Sequence, residues 1–246
     1  MRYFLEVSYK GTNYSGFQSQ INANTIQAEV ENALQILLKT RIELTGSSRT
    51  DAGVHALQNY FHFDIDAELS PKLLYNINAI LPVDIAAGNL FKVKDDAHCR
   101  FDAISREYKY FIYKKKNPFL NDRAFYFPYK LDLDLMTEAA DLIKGHLDFT
   151  SFSKRNTQVK TFECKIIEST WINEDECLIY KVKANRFLRG MVRALTATML
   201  KLGRKRMSIS DFINVIESKD CTLANFAAPP YGLFLVSVSY TRDYFI

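Results

Sequence analysis

Residues 2–9 read Arg2-Tyr3-Phe4-Leu5-Glu6-Val7-Ser8-Tyr9. Tyr3, Leu5, Val7 and Tyr9 fall on one face, with Arg2, Glu6 and Ser8 on the other. That period of two marks a strand with one buried face. A glycine-bounded turn follows, from Gly11 to Gly16. Ile26, Val30, Ala33, Leu34, Leu37 and Leu38 then recur at helical spacing, with Asn24 and Gln27 placed as a capping pair. Residues 42–47 and the alternation of Leu57, Asn59, Phe61 and Phe63 predict two strands. A second helix opens at Ser70-Pro71, where proline suits the first helical position, and a strand over 85–93 closes the set.

The same order then returns. Tyr108, Tyr110 and Ile112 alternate with Lys109 and Phe111 in a strand. Leu135, Ala139, Leu142 and Ile143 make a helix face that stops at Gly145. Strands over 162–172 and 177–184 follow, and Leu188, Val192, Leu195, Met199 and Leu202 predict a long helix ending at Gly203. A short helix over 209–217 and a strand from Leu233 to Val238 complete the chain. Strand, helix, strand pair, helix, strand, performed twice, predicts an α+β protein. Its two similarly built halves, ferredoxin-like or RRM-like, carry antiparallel sheets flanked by helices, with an active-site cleft between them. The boundary divides the chain into residues 1–105 and 106–246.

Bulk properties exclude several classes. The 246 residues carry a net charge of only +4, which permits a polyanionic partner without demanding one. Cys99, Cys164, Cys177 and Cys221 are widely spaced and form no C-x-x-C pair, which fits reduced thiols and a cytoplasmic location. Neither they nor the four histidines show metal-ligand spacing, so no metal is expected. No segment approaches the roughly 18 consecutive apolar residues of a membrane span. Phosphate-binding glycine motifs and a Walker lysine are absent as well.

One polar segment stands between two of the predicted strands: Ser47-Ser48-Arg49-Thr50-Asp51-Ala52-Gly53-Val54-His55-Ala56. It sets an acid two residues after an arginine, among residues small enough to admit a bulky substrate. Asp51 ionises with an ordinary pKa of about 3.9; burial would raise that value and a guanidinium, for which Arg49 is the local candidate, would lower it. The same spacing also describes a plain surface turn. Spacing alone leaves both readings open, and no nucleophile elbow supports a serine hydrolase.

The run Arg49-Thr50-Asp51-Ala52-Gly53-Val54-His55-Ala56 resembles the signature of TruA-type tRNA pseudouridine synthases. Three more segments resemble that family in order: residues 9–18 (Tyr9-Lys10-Gly11-Thr12-Asn13-Tyr14-Ser15-Gly16-Phe17-Gln18), Arg106-Glu107-Tyr108-Lys109-Tyr110, and residues 185–193 from Asn185 to Arg193. Together they run the length of the chain. The resemblance implies an isomerase that converts uridine to pseudouridine at positions 38, 39 or 40 of the tRNA anticodon arm, with no cofactor and no metal. It implies Asp51 as the essential carboxylate in the first half. It further implies that Tyr108 contacts the target base, that Arg193 pairs with Asp51, and that Leu233 lines the pocket. Arg49 joins them as a substrate-binding residue. The second half completes the cleft and the tRNA surface, and a homodimer is implied. Arg186, Arg189, Lys201, Arg204, Lys205 and Arg206 gather around the long second-half helix, where phosphates would find them. A non-catalytic RNA-binding module is the alternative reading, although it would have no use for an acid at Asp51.

Overall fold

The computed structural model describes residues 1–155, 159–241 and 244, and its contacts divide the chain into two compact units. Unit 1 comprises Met1–Ile104 and Phe234–Ile246; unit 2 comprises Ser105–Leu233.

Unit 1 begins with β1 (Arg2–Tyr9) and continues through α1 (Ile26–Leu38), β2 (Thr45–Gly46), β3 (His55–Asp64), α2 (Leu73–Ile80) and β4 (Ile85–Val93). β1 lies between β4 and β3, antiparallel to both, and β2 adds antiparallel to β3. The resulting order, β4-β1-β3-β2, is that of a ferredoxin-like unit. A late strand, β9 (Leu233–Ser239), joins β3 in parallel through His55 opposite Phe234 and Ala56 opposite Leu235.

The predicted face of β1 is buried as its alternation requires, with Phe17 stacked on Phe61 at 4.6 Å between ring centroids. The opposite face is covered too. Phe4, Tyr60 and Tyr240 form an aromatic cluster there, with centroids 5.3–6.4 Å apart. α1 starts from Thr25, whose hydroxyl accepts the Ala28 N–H, rather than from the predicted pair Asn24 and Gln27. Gln27 is occupied elsewhere: its amide donates to Leu44 O at 2.8 Å, while Glu31 accepts the Leu44 N–H at 3.1 Å. Side chains of α1 thus satisfy a backbone that a ladder would otherwise pair, and the predicted strand over 42–47 shrinks to Thr45–Gly46.

Unit 2 contains β5 (Ser105–Tyr113), β6 (Phe125–Tyr126), α3 (Leu133–Leu142), β7 (Ile166–Glu174), β8 (Cys177–Ala184), α4 (Met191–Gly203) and α5 (Ile209–Glu217). β8 pairs antiparallel with β5 and β7, and β6 adds a short parallel edge to β5. The segment predicted as strand from 162 divides at 166. Its first part turns instead to residues 147–149, where Phe149 N–H donates to Phe162 O and Cys164 N–H to Leu147 O.

α4 is the centre of unit 2 and is buried nearly all round, not along a single face. Thr196 and Thr198 tolerate that burial because their hydroxyls donate to Val192 O and Ala194 O, one turn back. Gly203 does not terminate α4 by its dihedrals. A Cβ there would lie 2.4 Å from Met136 Sδ, so its smallness lets α3 approach. No helix among the described residues is long and apolar enough to cross a membrane.

Candidate active site

Each unit presents one part of the predicted site. In unit 1 the loop 47–54 connects β2 to β3 in a partly extended zigzag. Ser48 and Thr50 point inward, Arg49 is exposed and Asp51 is half-buried. The inward groups are held by a buried polar network. Asn59, fully buried on β3, accepts the Ser47 hydroxyl at 2.8 Å and donates to Ser48 O at 2.8 Å. It also donates to the Tyr9 hydroxyl at 3.2 Å, and that hydroxyl lies 2.8 Å from Thr50 Oγ1. Phe17 N–H donates to Thr50 O, and Val54 N–H closes a turn onto Asp51 O. Gly53 makes that turn at φ 78°, a conformation glycine adopts at little cost.

The segment from Tyr9 to Phe17 is the loop's scaffold. Gly11 N–H donates to His55 Nδ1 at 3.0 Å, which places the ring proton on Nε2. A Cβ on Gly11 would lie 2.0 Å from Val54 O, so only glycine allows this approach. The Tyr14 hydroxyl donates to Asp84 Oδ1 at 2.5 Å and fixes the turn from the far side; burial, then that carboxylate, raises the pKa of the phenol. Arg49 makes no ion pair among the described residues. The spacing R-x-D therefore does not by itself produce a local guanidinium partner for Asp51.

In unit 2, Tyr108 and Tyr110 share one face of β5. Tyr108 is buried and meets Phe187 edge-to-face at 5.1 Å. Tyr110 donates its hydroxyl to Pro229 O at 2.8 Å, and Gly232 packs against its ring. Burial raises the Tyr110 pKa while the Arg193 charge opposes the shift. Arg193 projects from the first turn of α4 and donates from Nε to Ala228 O at 2.7 Å. Leu233, buried, directly follows Gly232. Unit 2 thus gathers Tyr108, Arg193 and Leu233 around Tyr110, while Asp51 and Arg49 belong to unit 1.

Sequence spacing passes over two groups. Asn59 reads only as one position in an alternating strand, although a fully buried amide needs partners and so signals a network. The other is His62, His98 and Cys99, whose donor atoms lie within 4.8 Å of one another. Their hydrogen bonds suit a brace better than a metal. His98 Nδ1 accepts the N–H groups of Arg100 and Phe101 at 3.1 and 3.4 Å, which leaves its proton on Nε2. His62 Nδ1 accepts the Cys99 N–H and lies 3.2 Å from its sulfur, and the thiol donates to Thr45 O at 3.1 Å. The imidazole lone pairs are therefore committed. Burial first, then the charges of His98 and Arg2, lower the His62 pKa to about 4.

A hydrogen-bonded loop bearing an acid on a ferredoxin-like unit, and a buried tyrosine and an arginine on a second α+β unit, characterise a two-unit α+β protein. Comparison with known proteins makes the class specific. The family described as tRNA pseudouridine synthase matches residues 6–102 and 139–241. The chain is 43% identical over 246 residues to tRNA pseudouridine synthase A of Parabacteroides distasonis, covering 99% of this chain and 98% of that protein. It is 42% identical over 240 residues to the protein of that name from Azobacteroides pseudotrichonymphae, covering 97% and 96%. With that of Staphylococcus aureus it shares 38% over 241 residues, covering 97% and 90%. The chain belongs to the tRNA pseudouridine synthase family.

Proposed function

We propose that this protein isomerises uridine to pseudouridine at positions 38, 39 and 40 in the anticodon arm of tRNA, with Asp51 as the essential carboxylate. The observation that carries the reading is the loop 47–54. Ser47, Ser48 and Thr50, which lead into Asp51, are fixed by buried hydrogen bonds, while Asp51 itself is half-buried. A solvated turn needs no such support, whereas a reacting group needs its position fixed.

In the reaction the C1′–N1 bond breaks, the base turns, C1′ joins C5, the C5 proton departs and N1 takes one up. Redox state is unchanged and no phosphoryl group moves, so the reading includes no cofactor. A stacked base cannot turn, so the uridine leaves its helix. Tyr108 then replaces the lost stacking, and Leu233 contributes an apolar wall. Asp51 acts as a carboxylate at C1′, at C6, or on the 2′ proton toward a glycal. All three routes start from its ionised form. Arg193 serves as the cationic partner of that carboxylate. Arg49, exposed two residues from Asp51, contacts the RNA beside the target. Unit 1 carries the catalytic loop and unit 2 the tRNA surface. The working form is a homodimer in the cytoplasm.

The test uses unmodified tRNA transcripts carrying tritium at uridine C5, because joining C1′ to C5 releases that label. Wild type releases it from anticodon-arm uridines without added cofactor. Asp51→Ala binds the same tRNA and lowers release by at least ~10³-fold, a loss of the size expected for a positioned reacting group, roughly 10²–10⁴-fold. Undiminished release from Asp51→Ala overturns the assignment of the carboxylate. Absence of release from folded, tRNA-binding wild type overturns the activity.

A further inference from the structure

We propose that the C-terminal end of α4 carries a second RNA site, which holds a phosphate and the adjoining ribose or base of a tRNA nucleotide other than the target uridine. The proposal rests on the tRNA reading above and adds a place of contact to it. A hollow of about 250 Å³ opens there within unit 2. Its floor is apolar, built by Phe125, Phe127 and Ala197, and its rim carries Lys201, Arg204 and Arg206. No acidic residue lines it.

Basic residues at a helix C-terminus have an ordinary explanation, since they complement the carbonyl end of the helix dipole. Three observations go beyond it. First, the chain turn that gathers the cations is specific. Lys205 adopts a left-handed conformation at φ 56°. Its N–H donates to Leu202 O at 2.7 Å, and Arg206 N–H reaches back to Lys201 O at 3.1 Å. Those are the two bonds of a Schellman turn, made here without the usual glycine, and they return Arg206 beside Lys201.

Second, the charges are sorted. Lys205 is engaged by Asp132 at 3.0 Å. Lys201, Arg204 and Arg206 make no ion pair among the described residues. Asp211 feels the Lys201 charge but is held in the α5 capping box by Ser208. Third, Arg204 lies over aromatic rings, its guanidinium carbon 3.7 Å from the centre of the Tyr129 ring and 6.0 Å from that of Phe127. A stacked guanidinium keeps its edge free for a phosphate.

The size of the hollow points to the ligand. It is smaller than the roughly 300–1,000 Å³ of sites that enclose a whole small molecule. It suits one piece of a longer chain held elsewhere as well, with the apolar floor against ribose or base and the cations on phosphate. Arg193, Ala197, Lys201 and Arg204 follow one face of α4 at steps of three or four residues. Eleven residues at 1.5 Å each put Arg204, at the far end of the hollow, about 16 Å along the helix from Arg193. Ala228, whose carbonyl holds Arg193, also lines the hollow.

The experiment compares full-length wild type with Lys201→Ala/Arg206→Ala in binding fluorescein-labelled, unmodified tRNA at several salt concentrations. Lys144→Ala/Lys219→Ala, which removes two lysines paired to Asp141 and Asp148, serves as a charge-matched control. The expected result is a Kd raised about 10-fold near 0.1 M salt. The slope of log K against log salt becomes shallower by about 1.4–1.8, the value of two phosphate contacts. In the tritium assay the loss falls on KM more than on kcat, and the control changes neither quantity. An unchanged slope, or an equal change in the control, overturns the proposal. So does tight binding of uridine monophosphate to wild type with tRNA affinity unaffected by the variant, since that makes the hollow a small-molecule site. Binding and salt slope are read without turnover, so failure of the isomerase reading leaves this result interpretable.

Discussion

The loop 47–54 of unit 1 and helix α4 of unit 2 hold predicted site residues in place by opposite means. Around the loop, buried polar groups do the positioning: Asn59 alone links Ser47, Ser48 and Tyr9, and Tyr9 reaches Thr50. Arg193 stands on a packed element, for α4 is buried on nearly every side, and its Nε donates to Ala228 O. A hydrogen-bonded network fixes direction as well as distance, and it fails as a unit when one member is lost. A packed helix fails gradually.

Breaking the network gives the largest effect. Asn59→Ala leaves the Ser47 hydroxyl and the Ser48 carbonyl without their partner. It lowers kcat for tritium release by about 100-fold through a misplaced loop and costs about 2–4 kcal/mol in urea unfolding. Retention of full activity would show that the network is not what positions Asp51. The matching cut in unit 2 is Leu195→Ala, at a fully buried site on α4. It costs about 3 kcal/mol in stability, yet kcat measured well below the melting temperature stays within about 3-fold. A larger fall would show that packing governs geometry as tightly as hydrogen bonds do.

The polar brace of unit 1 sharpens the comparison through pH. The folded pKa of His62, about 4, lies below its ordinary value of about 6.5. The unfolded chain therefore takes up the proton first. Stability present above pH 6.5 is lost as pH falls toward 4, by on the order of 2 kcal/mol between pH 7 and 4.5. Urea melts at those two values should show that much less pH dependence in His62→Gln. The smallest effect is expected at the start of α1. Thr25→Ala removes the cap on Ala28 and costs about 1 kcal/mol, seen as a small drop in melting temperature without loss of turnover.

Where the sequence was legible, the signal was local. β1, α1 and α4 followed from spacing within one element, because the period of a strand or helix is written in neighbouring residues. The failures share a different cause. The strand expected at 42–47 was replaced by bonds from Gln27 and Glu31, residues that only folding brings near. The covered second face of β1 depends on Tyr240, more than two hundred residues away. His62 meets His98 and Cys99 across 36 and 37 residues, with no short motif to announce it. Of the candidate site, the proposal of Asp51 comes from a motif, and the motif does lie on a braced loop. The loop's support by Asn59 was not legible, because a buried amide in a strand looks the same in sequence as one facing water.

The return of the chain to unit 1 at Phe234 bears on how the protein is made. The ladder partners of His55 and Ala56, the residues just after the loop 47–54, are Phe234 and Leu235. During synthesis the first hundred residues emerge long before them, at about 5–20 residues per second. Throughout that interval β3 has an open edge beside the loop, and all of unit 2 is translated before the edge is closed. The nascent chain therefore waits on a strand made after all of unit 2 before the loop gains its full support.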